Sequence, residues 1–312
     1  MESLYSNAEG HHPANDHPKW SQSYYFNFYD PSNGVGGFLR IGLLENVKQS
    51  NVWVVLFKDG KPAYNRICAA SPYTPDRMDT GLEVAGLRFS SVVPLQKARL
   101  EFSDSDLTMD LLFESLHPMA DAIAMARNEA GTLRQTVAAA HLEGPGRVCG
   151  TLNLRGTRID VNGTGFRDIS WGVRNWDALG YYRLSWPVFA NGFAFAGIHA
   201  TTVERQSLYM KMFHDGREWM GVGEIDDGVE FADDGMTVRS LDWRFRDSLG
   251  RAWEFSGKPI FRAFIPVDGF LVSENMMEYR LGDGTVGYGV CECGFRLPWD
   301  GNREGSLSVT TK

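Results

Sequence analysis

Short apolar runs separated by turn residues recur along most of the chain, and this rhythm constrains its fold more than any other feature. Residues 51–57 form one such run, and Asp59-Gly60 follows it. An Asp-Gly pair is a strong signal for a tight turn between two antiparallel strands. No long segment repeats its apolar residues with the 3.6-residue period of a helix. The pattern therefore predicts an all-β protein built from many short strands.

The same pattern continues through both halves of the chain. Further apolar runs lie at residues 23–29, 37–43, 82–89, 97–102, 107–115, 135–142, 147–154, 181–186, 193–201, 206–213, 217–225, 236–245 and 252–261. In the second half, Asp-Gly pairs that indicate turns lie at Asp215-Gly216, Asp227-Gly228 and Asp234-Gly235. Residues 119–129 are rich in Ala and Met, which fits either a helical turn or a lid or loop.

The length of 312 residues is enough for two ordinary domains. The two halves have a similar size and a similar strand rhythm, and a segment dense in Gly and Trp lies between them. We expect a boundary near Trp176, with one domain over residues 17–175 and a second over residues 176–312. Residues 1–16 lack an apolar period and predict a flexible tail. A ligand cavity is expected at the junction, lined by residues 163–176.

The charge of the chain excludes one class of partner. The formal net charge is -8 and the pI is near 5.4, whereas a nucleic-acid binder needs a basic face to neutralise phosphates. No apolar stretch approaches the roughly 20 residues that span a bilayer, and the first residues lack the pattern of a signal peptide. We expect a cytoplasmic monomer or homodimer without a transmembrane segment, and no nucleic acid as partner.

The four cysteines are too few and too scattered for a disulfide framework in a chain of this length. Reduced thiols are therefore expected. Cys291 and Cys293 do not have the two to four intervening residues that zinc ligands usually have, and in a strand both would lie on one face. We expect no metal, and no cofactor motif is present.

Residues 163–176 combine glycines, charges and aromatic residues more densely than any other segment. Alternation along an extended chain places Asp168, Ser170 and Gly172 on one face and Ile169 and Trp171 on the other. Glycines in this segment permit close approach of the backbone to a ligand. They do not form a dinucleotide-binding loop, because the third glycine of that motif and the surrounding βαβ unit are missing.

Three motifs, spread over nearly the whole chain, resemble the carotenoid hydratase (hydroxyneurosporene synthase) and AttH-like superfamily. The central Asp168-Ile169-Ser170-Trp171-Gly172 matches Asp-His-Ser-Trp-Gly of that family. The early Gln22-Ser23-Tyr24-Tyr25-Phe26 loosely matches its Glu-Trp-Trp-Tyr-Phe. The late Glu292-Cys293-Gly294-Phe295 is similar to its Glu-Leu-Thr-Gly-Tyr, with one residue deleted. The resemblance implies two lipocalin-like antiparallel β-barrel or curved-sheet halves packed together. Ile169 replaces the motif His and Gln22 replaces the early Glu, so a mechanism that needs those groups would not apply.

The resemblance also implies an enzyme that protonates or shapes a hydrophobic polyene. Such chemistry needs a carboxylic acid that an apolar wall keeps protonated. Asp168 and Glu292 are the candidate catalytic residues. The candidate substrate contacts are Tyr25, Trp171, Arg174, Trp176 and His199.

Each candidate also has a structural interpretation. A structural role for Asp168, as a buried carboxylate paired with Arg167 or Arg174, fits the sequence as well as a catalytic role does. Glu292 fits an exposed strand position, and His199 fits a core or surface histidine. The tryptophans, taken singly, fit core packing.

We therefore expect a cofactor-independent lyase, isomerase or cyclase, of hydratase type, acting on a terpenoid-, steroid- or polyketide-like molecule. The alternative is a non-catalytic carrier of lipophilic ligands, since the same architecture can store and deliver apolar molecules. A carboxylate that faces the ligand beside aromatic residues would favour the enzyme over the carrier, because a carrier needs apolar walls but no buried acid.

Overall fold

The computed structural model describes residues 7–72, 81–126, 130–267 and 269–297. The chain divides into two compact units, and each is described by itself. The first unit comprises residues 1–121 and 133–175, and the second comprises residues 122–132 and 176–312. Both units consist almost entirely of antiparallel strands, which confirms the all-β prediction.

The first unit is an 11-stranded sheet. Its strands are β1 (Trp20–Asp30), β2 (Val35–Leu44), β3 (Gln49–Lys58), β4 (Lys61–Pro72), β5 (Leu82–Val84), β6 (Leu87–Val93), β7 (Lys97–Ser103), β8 (Leu107–Ser115), β9 (Ala120–Asp121), β10 (Ala140–Leu154) and β11 (Thr157–Val173). Along the sheet they follow the order β4-β3-β2-β1-β11-β10-β8-β7-β6-β5, and β9 pairs with β10.

This sheet curls into a nearly closed barrel around one apolar core. The ring of Tyr64 on β4 lies 5.7 Å from that of Phe102 on β7, although six strands separate them through the middle of the sheet. The hydroxyl of Tyr64 also bonds the carboxylate of Asp104, just after β7. Contact between the two ends of the sheet buries apolar surface that an open sheet would leave in water.

Tight turns connect neighbouring strands where the sequence supplies residues that tolerate positive φ. Asp59 and Gly60 have φ values of 50° and 71° between β3 and β4, as the hairpin prediction requires. Two positive φ values match the right-handed twist of the flanking strands. The turn predicted at Asp227-Gly228 is wrong, because both residues lie inside a long strand, β15 (Trp219–Phe231).

The segment dense in glycine and tryptophan belongs mostly to β11, the longest strand of the first unit. A Cβ atom at Gly165 would lie 1.8 Å from the carbonyl oxygen of Asn27, and one at Gly163 would lie 2.2 Å from that of Tyr29. These glycines therefore permit close approach of the β1 backbone. The approach of these two glycines to a ligand stays a prediction.

Short helical segments interrupt the strands. The helices are α1 (Ala122–Met125) and α2 (Ala130–Thr136), with 3-10 turns at Glu45–Val47 and Trp176–Ala178. Of residues 119–129, the described part combines the short strand β9 with α1, so the helical-turn interpretation holds for four residues; residues 127–129 lie outside the described part. Among the residues that the structure describes, no helix has the length and apolarity to cross a membrane.

The second unit is a closed barrel of consecutive antiparallel strands, in which the last strand pairs with the first. Its strands are β12 (Leu179–Phe189), β13 (Phe193–Thr202), β14 (Ser207–Asp215), β15 (Trp219–Phe231), β16 (Val238–Asp247), β17 (Ala252–Val267), β18 (Phe270–Leu281) and β19 (Val286–Arg296). Aromatic residues fill its interior. Cys291 and Cys293 lie in this interior on one face of β19 with their sulfurs 3.9 Å apart, and all four cysteines are free thiols.

Residues 8–12 pack against strands of the first unit, although the composition of residues 1–16 predicts a flexible tail. Ala8 is buried beside Ala140 and Leu142. Glu9 is 8% exposed, and its carboxylate pairs with the guanidinium of Arg167. Composition missed this packing because it rests on two individual residues and not on a repeated apolar pattern.

Gly289 on β19 gives a test of the barrel backbone. A Cβ at this position would lie 1.8 Å from the carbonyl oxygen of Trp186, whereas a Cβ at Gly221 would meet nothing within 4 Å. We expect Gly289→Ala to lower the free energy of unfolding by about 3 kcal/mol, because backbone must move. Gly221→Ala should change it by less than about 1 kcal/mol. Equal effects in urea unfolding would contradict the packing of β12 on β19.

Candidate functional site

Three neighbouring strands of the first unit bring polar side chains together on one face. Asp168 on β11 is paired with Tyr25 on β1 and with Glu143 on β10. Two residues further along β11, Ser170 is paired with His141 on β10. Directly paired residues of antiparallel strands point to the same side of the sheet. Their chain neighbours, such as Ile169, point into the apolar core on the other side, as the predicted alternation requires.

The imidazole of His141 lies between two carboxylates. Its Nε2 is 2.6 Å from Oδ2 of Asp168, and its Nδ1 is 2.7 Å from Oε1 of Glu143. All three side chains are at most 7% exposed. The backbone N–H of His141 also donates to Oδ1 of Asp121 at 3.4 Å. Two carboxylates in contact with both ring nitrogens require a proton on each nitrogen, so the arrangement favours the imidazolium.

Burial alone would lower the pKa of His141, but Asp168 and then Glu143 outweigh it and raise the pKa from 6.5 to about 10. Burial alone would likewise raise the pKa of Asp168. Contact with His141, followed by Arg174 and Ser170, instead holds it below its ordinary value. The sequence suggested a protonated Asp168 behind an apolar wall. Contact with the imidazolium of His141 instead favours an ionised Asp168, and the catalytic role of Asp168 stays a prediction.

A chain of hydrogen bonds leads from Asp168 to Arg174. The hydroxyl of Ser170 donates to Oδ1 of Asp168 at 3.0 Å and accepts from Nη2 of Arg174. Nε of Arg174 also donates to the hydroxyl of Ser21 at 3.3 Å. Arg174 is half-buried. It therefore contributes positive charge at the more exposed end of this network.

Arg167 lies on the opposite face of β11 and does not contact Asp168. Its guanidinium is fully buried, pairs with Glu9 and lies 5.5 Å from the ring of Phe26. The predicted pairing of Asp168 with Arg167 is therefore wrong. Asp168 is linked to Arg174 through the hydroxyl of Ser170. The positive charge of Arg174 also lowers the pKa of Asp168 from a longer distance.

Trp171 and Tyr25 lie on different faces of the sheet. Tyr25 shares the face of Asp168. Trp171 lies on the other face, half-buried, with its ring stacked on that of His12 at 3.7 Å. Gln22, at the position of the early motif Glu, accepts from the backbone N–H of His12 at 3.1 Å. Of Tyr25 and Trp171, the structure therefore places only Tyr25 on the face of the sheet that carries Asp168.

The remaining predicted residues belong to the second unit. Trp176 packs 5.5 Å from Phe270. Glu292 is half-buried on β19 and accepts a hydrogen bond from the hydroxyl of Tyr182 at 2.6 Å. His199 is fully buried inside the closed barrel. The roles of Trp176 and His199 as substrate contacts, and of Glu292 as a catalytic acid, stay predictions.

His141 and Glu143 are not among the residues predicted from the sequence, although they contact Asp168 or its partner in the structure. They stand two residues apart in a strand, a spacing that places both on one face. Nothing in the sequence shows which strand that face meets. The register of β10 on β11 supplies this information. A histidine at position 169, as in the family motif, would instead point into the core with Ile169.

The same three residues also form a donor set that could be considered for a metal ion. A bound zinc ion lies about 2.0–2.2 Å from each nitrogen or oxygen ligand. One ligand atom from each residue lies within 4.8 Å of the other two, but each ring nitrogen of His141 is already in close contact with one carboxylate. The contacts of 2.6 and 2.7 Å are lengths of charged N–H···O pairs. This arrangement fits a proton better than a metal.

The sequence matches one family model over residues 6–296, described as "Domain of unknown function (DUF7064)". The chain belongs to this family. A comparison with curated proteins gives no match.

Solved structures resemble the whole chain. An AttH-like protein (NE1406) of Nitrosomonas europaea has a TM-score of 0.64 at 14% identity, over 90% of this chain and 93% of that one. CghA crystallised with Sch210972 has a TM-score of 0.64 at 12% identity, over 89% and 88%. Kievitone hydratase of Nectria haematococca has a TM-score of 0.61 at 11% identity, over 90% of each chain. The expected likeness to the carotenoid hydratase and AttH-like superfamily is confirmed for the fold.

The charge state of His141 predicts how stability depends on pH. The unfolded chain releases this proton near pH 6.5, whereas the folded chain keeps it to about pH 10. Between these values the folded state holds more protons. Its free energy of unfolding should therefore fall as pH rises, by up to about 1.4 kcal/mol per pH unit for this group. Below pH 6.5 the contribution of His141 is complete.

Glu143→Gln should weaken this dependence, because it removes one of the two charges that hold the proton. Urea unfolding of wild type and variant at pH 7, 8 and 9 measures the difference in slope. The matched control is Glu114→Gln, which removes an exposed carboxylate paired with Lys97 on the surface. A variant slope equal to that of wild type would show that His141 is not the titrating group.

Proposed function

We propose that this protein is a cofactor-independent enzyme of hydratase, lyase or cyclase type that acts on a hydrophobic terpenoid-, steroid- or polyketide-like molecule. The observation that carries the proposal is the buried imidazole of His141 between Asp168 and Glu143. In this proposal His141 gives the proton and Asp168 takes one. The reaction needs no electron transfer.

The two groups suit addition or elimination of water beside a carbonyl. In such a reaction a proton leaves or joins carbon while negative charge develops on oxygen. Asp168 takes a proton from carbon only as His141 gives up its own, because the imidazolium otherwise holds the pKa of this carboxylate low. Both ring N–H groups of His141 face carboxylates, so the imidazolium stabilises the developing oxyanion through its positive charge. Its pKa near 10 favours this role over protonation of an unactivated alkene.

Neighbouring side chains support a substrate with an apolar body and one polar end. Tyr25 offers an aromatic surface directly beside Asp168. Arg174 offers a cation that reaches Asp168 through Ser170. A substrate oxygen bound to Arg174 would therefore be placed at the accessible end of the network. Kievitone hydratase supports the proposal as an enzyme of this reaction type on a similar fold.

The alternative is a non-catalytic carrier of lipophilic ligands. A carrier would gain nothing from three buried charges, because each loses hydration that the ligand does not restore. The position of Asp168 beside an aromatic residue is the feature that favours the enzyme.

Turnover in isotopically labelled water tests the proposal. The purified protein is incubated with a panel of apolar unsaturated carbonyl compounds in H₂¹⁸O and in D₂O, and products are analysed by mass spectrometry. We expect a product that has gained or lost water, or that carries deuterium beside the carbonyl. Asp168→Asn should reduce the rate about 10²–10⁴-fold, while Glu114→Gln should leave it unchanged. Ligand affinity, followed by tryptophan fluorescence, should change far less.

Two outcomes would contradict the proposal. Compounds that bind without isotope incorporation in the wild-type protein would favour the carrier. A variant Asp168→Asn that binds no ligand and melts much earlier would assign Asp168 to the scaffold, since breaking a buried ion pair costs about 3–5 kcal/mol.

A further inference from the structure

The second unit contains a separate group of polar side chains inside its barrel. Arg183 on β12 is paired with His199 on β13 and with Cys293 on β19, and His199 is paired with Tyr209 on β14. Tyr209 and Cys293 belong to the apolar core of the barrel. Arg183 and His199 therefore point inward with them. Asp227 on β15 points inward as well, because its pair partner on β16 belongs to the same core.

The ring of His199 joins a serine to an aspartate. Its Nε2 lies 3.2 Å from the hydroxyl of Ser207, and its Nδ1 lies 3.5 Å from Oδ2 of Asp227. The ring stacks on Tyr209 with centroids 4.3 Å apart and an interplanar angle of 15°. His199 and Asp227 are at most 2% exposed, whereas Ser207 is exposed at the beginning of β14. The arrangement leads from a buried carboxylate to an accessible hydroxyl.

We propose that Ser207, His199 and Asp227 form a second catalytic site that cleaves small carboxylic esters by acyl transfer to Ser207. A serine, a histidine and an acid in this order define the geometry of a nucleophilic hydroxyl, whatever the fold that holds them. The proposal does not depend on the function of the His141 site, and it gives His199 a role different from the substrate contact predicted from the sequence.

The imidazole of His199 has the form that a general base needs. Burial lowers its pKa below 6.5, and the cation of Arg183 adds to this effect. Burial alone would raise the pKa of Asp227, but contact with His199 and Arg183 lowers it, so this group is an ionised acceptor. A ring proton on Nδ1 would face Oδ2 of Asp227 at 3.5 Å, a charge contact longer than an ordinary hydrogen bond. Nε2 is then left with a lone pair directed at the hydroxyl of Ser207.

Arg183 and Tyr209 hold this arrangement in place. Nε of Arg183 donates to Oδ2 of Asp227 at 2.5 Å, and Nη2 donates to the carbonyl oxygen of Asp227 at 3.0 Å. Tyr209 fixes the plane of the His199 ring by stacking. Arg183, Tyr209 and Asp227 are positioning residues, while Ser207 and His199 exchange atoms with the substrate.

A hydroxyl for the developing oxyanion lies on the neighbouring strand. Thr201 on β13 is the direct partner of Ser207, so both side chains point the same way. The buried hydroxyl oxygen of Thr201 has no hydrogen-bond partner among the described residues. An unsatisfied buried hydroxyl costs free energy that a bound acceptor would recover. Thr201 can therefore donate to the carbonyl oxygen of an ester attacked by Ser207.

The reaction balances without a further reactant except water. The oxygen of Ser207 forms a bond to the ester carbonyl carbon, and its proton moves to Nε2 of His199. The bond from that carbon to the alkoxy oxygen breaks, and the alcohol leaves with the proton from His199. Water then attacks the acyl group on Ser207 with the same assistance, which releases the carboxylic acid and restores the serine.

Covalent labelling of the full-length protein tests this site without a known substrate. A fluorophosphonate probe reacts with activated serines, and peptide mass spectrometry identifies the labelled residue. We expect the label on Ser207, together with release of p-nitrophenol from p-nitrophenyl acetate. Ser207→Ala should abolish both, and His199→Gln should slow both about 10²–10⁴-fold. The matched control is Ser240→Ala, because Ser240 is half-buried on the same barrel and its hydroxyl donates to the carboxylate of Glu230 at 3.0 Å rather than to a histidine.

A second variant keeps the test valid if His199→Gln fails to fold. Ser207→Cys places a thiol beside the imidazole, which should speed its alkylation by iodoacetamide at neutral pH relative to Ser240→Cys. Absence of label on Ser207 in the wild-type protein, or equal alkylation of the two introduced cysteines, would overturn the proposal. Loss of activity at the His141 site in Asp168→Asn should leave the labelling of Ser207 unchanged.

Discussion

Two carboxylates and one imidazole share a buried face of the first sheet, and a proton on the imidazole pairs the three charges. Removing each charge from water costs several kcal/mol, and attraction at contact distance offsets this cost only when every partner is present. His141 meets Asp168 on one side and Glu143 on the other. The polar face of β1, β10 and β11 therefore depends on the charged state of a single ring.

The backbone provides the alignment that this pairing needs. The register of β10 on β11 places Glu143 beside Asp168 and His141 beside Ser170. A shift by one residue would turn these side chains into the core and the apolar ones out of it. Gly165 permits the close approach of β1, since a Cβ there would overlap the carbonyl oxygen of Asn27. The chemistry of the site and the packing of the strands thus rest on the same register.

The sequence alone predicted the parts of this account that depend on local pattern. Alternation placed Asp168 and Ser170 on one face and Ile169 on the other, and the Asp59-Gly60 turn is where the pair predicts it. Partners on other strands could not be predicted, because pairing register is a non-local property. His141 was therefore missed, and Asp168 was assigned a proton that its partner holds. The buried contacts of Glu9 were missed because they rest on individual residues and not on a repeated apolar pattern.

The charge of His141 at neutral pH is the central claim, and NMR of protein labelled with ¹⁵N-histidine measures it directly. Both ring nitrogens of His141, assigned by comparison with Glu143→Gln and His117→Gln, should show the shifts of an imidazolium at pH 8 and titrate near pH 10. A neutral ring at pH 8, with titration near or below 6.5, would contradict the account, because neither carboxylate would then be paired with a buried cation.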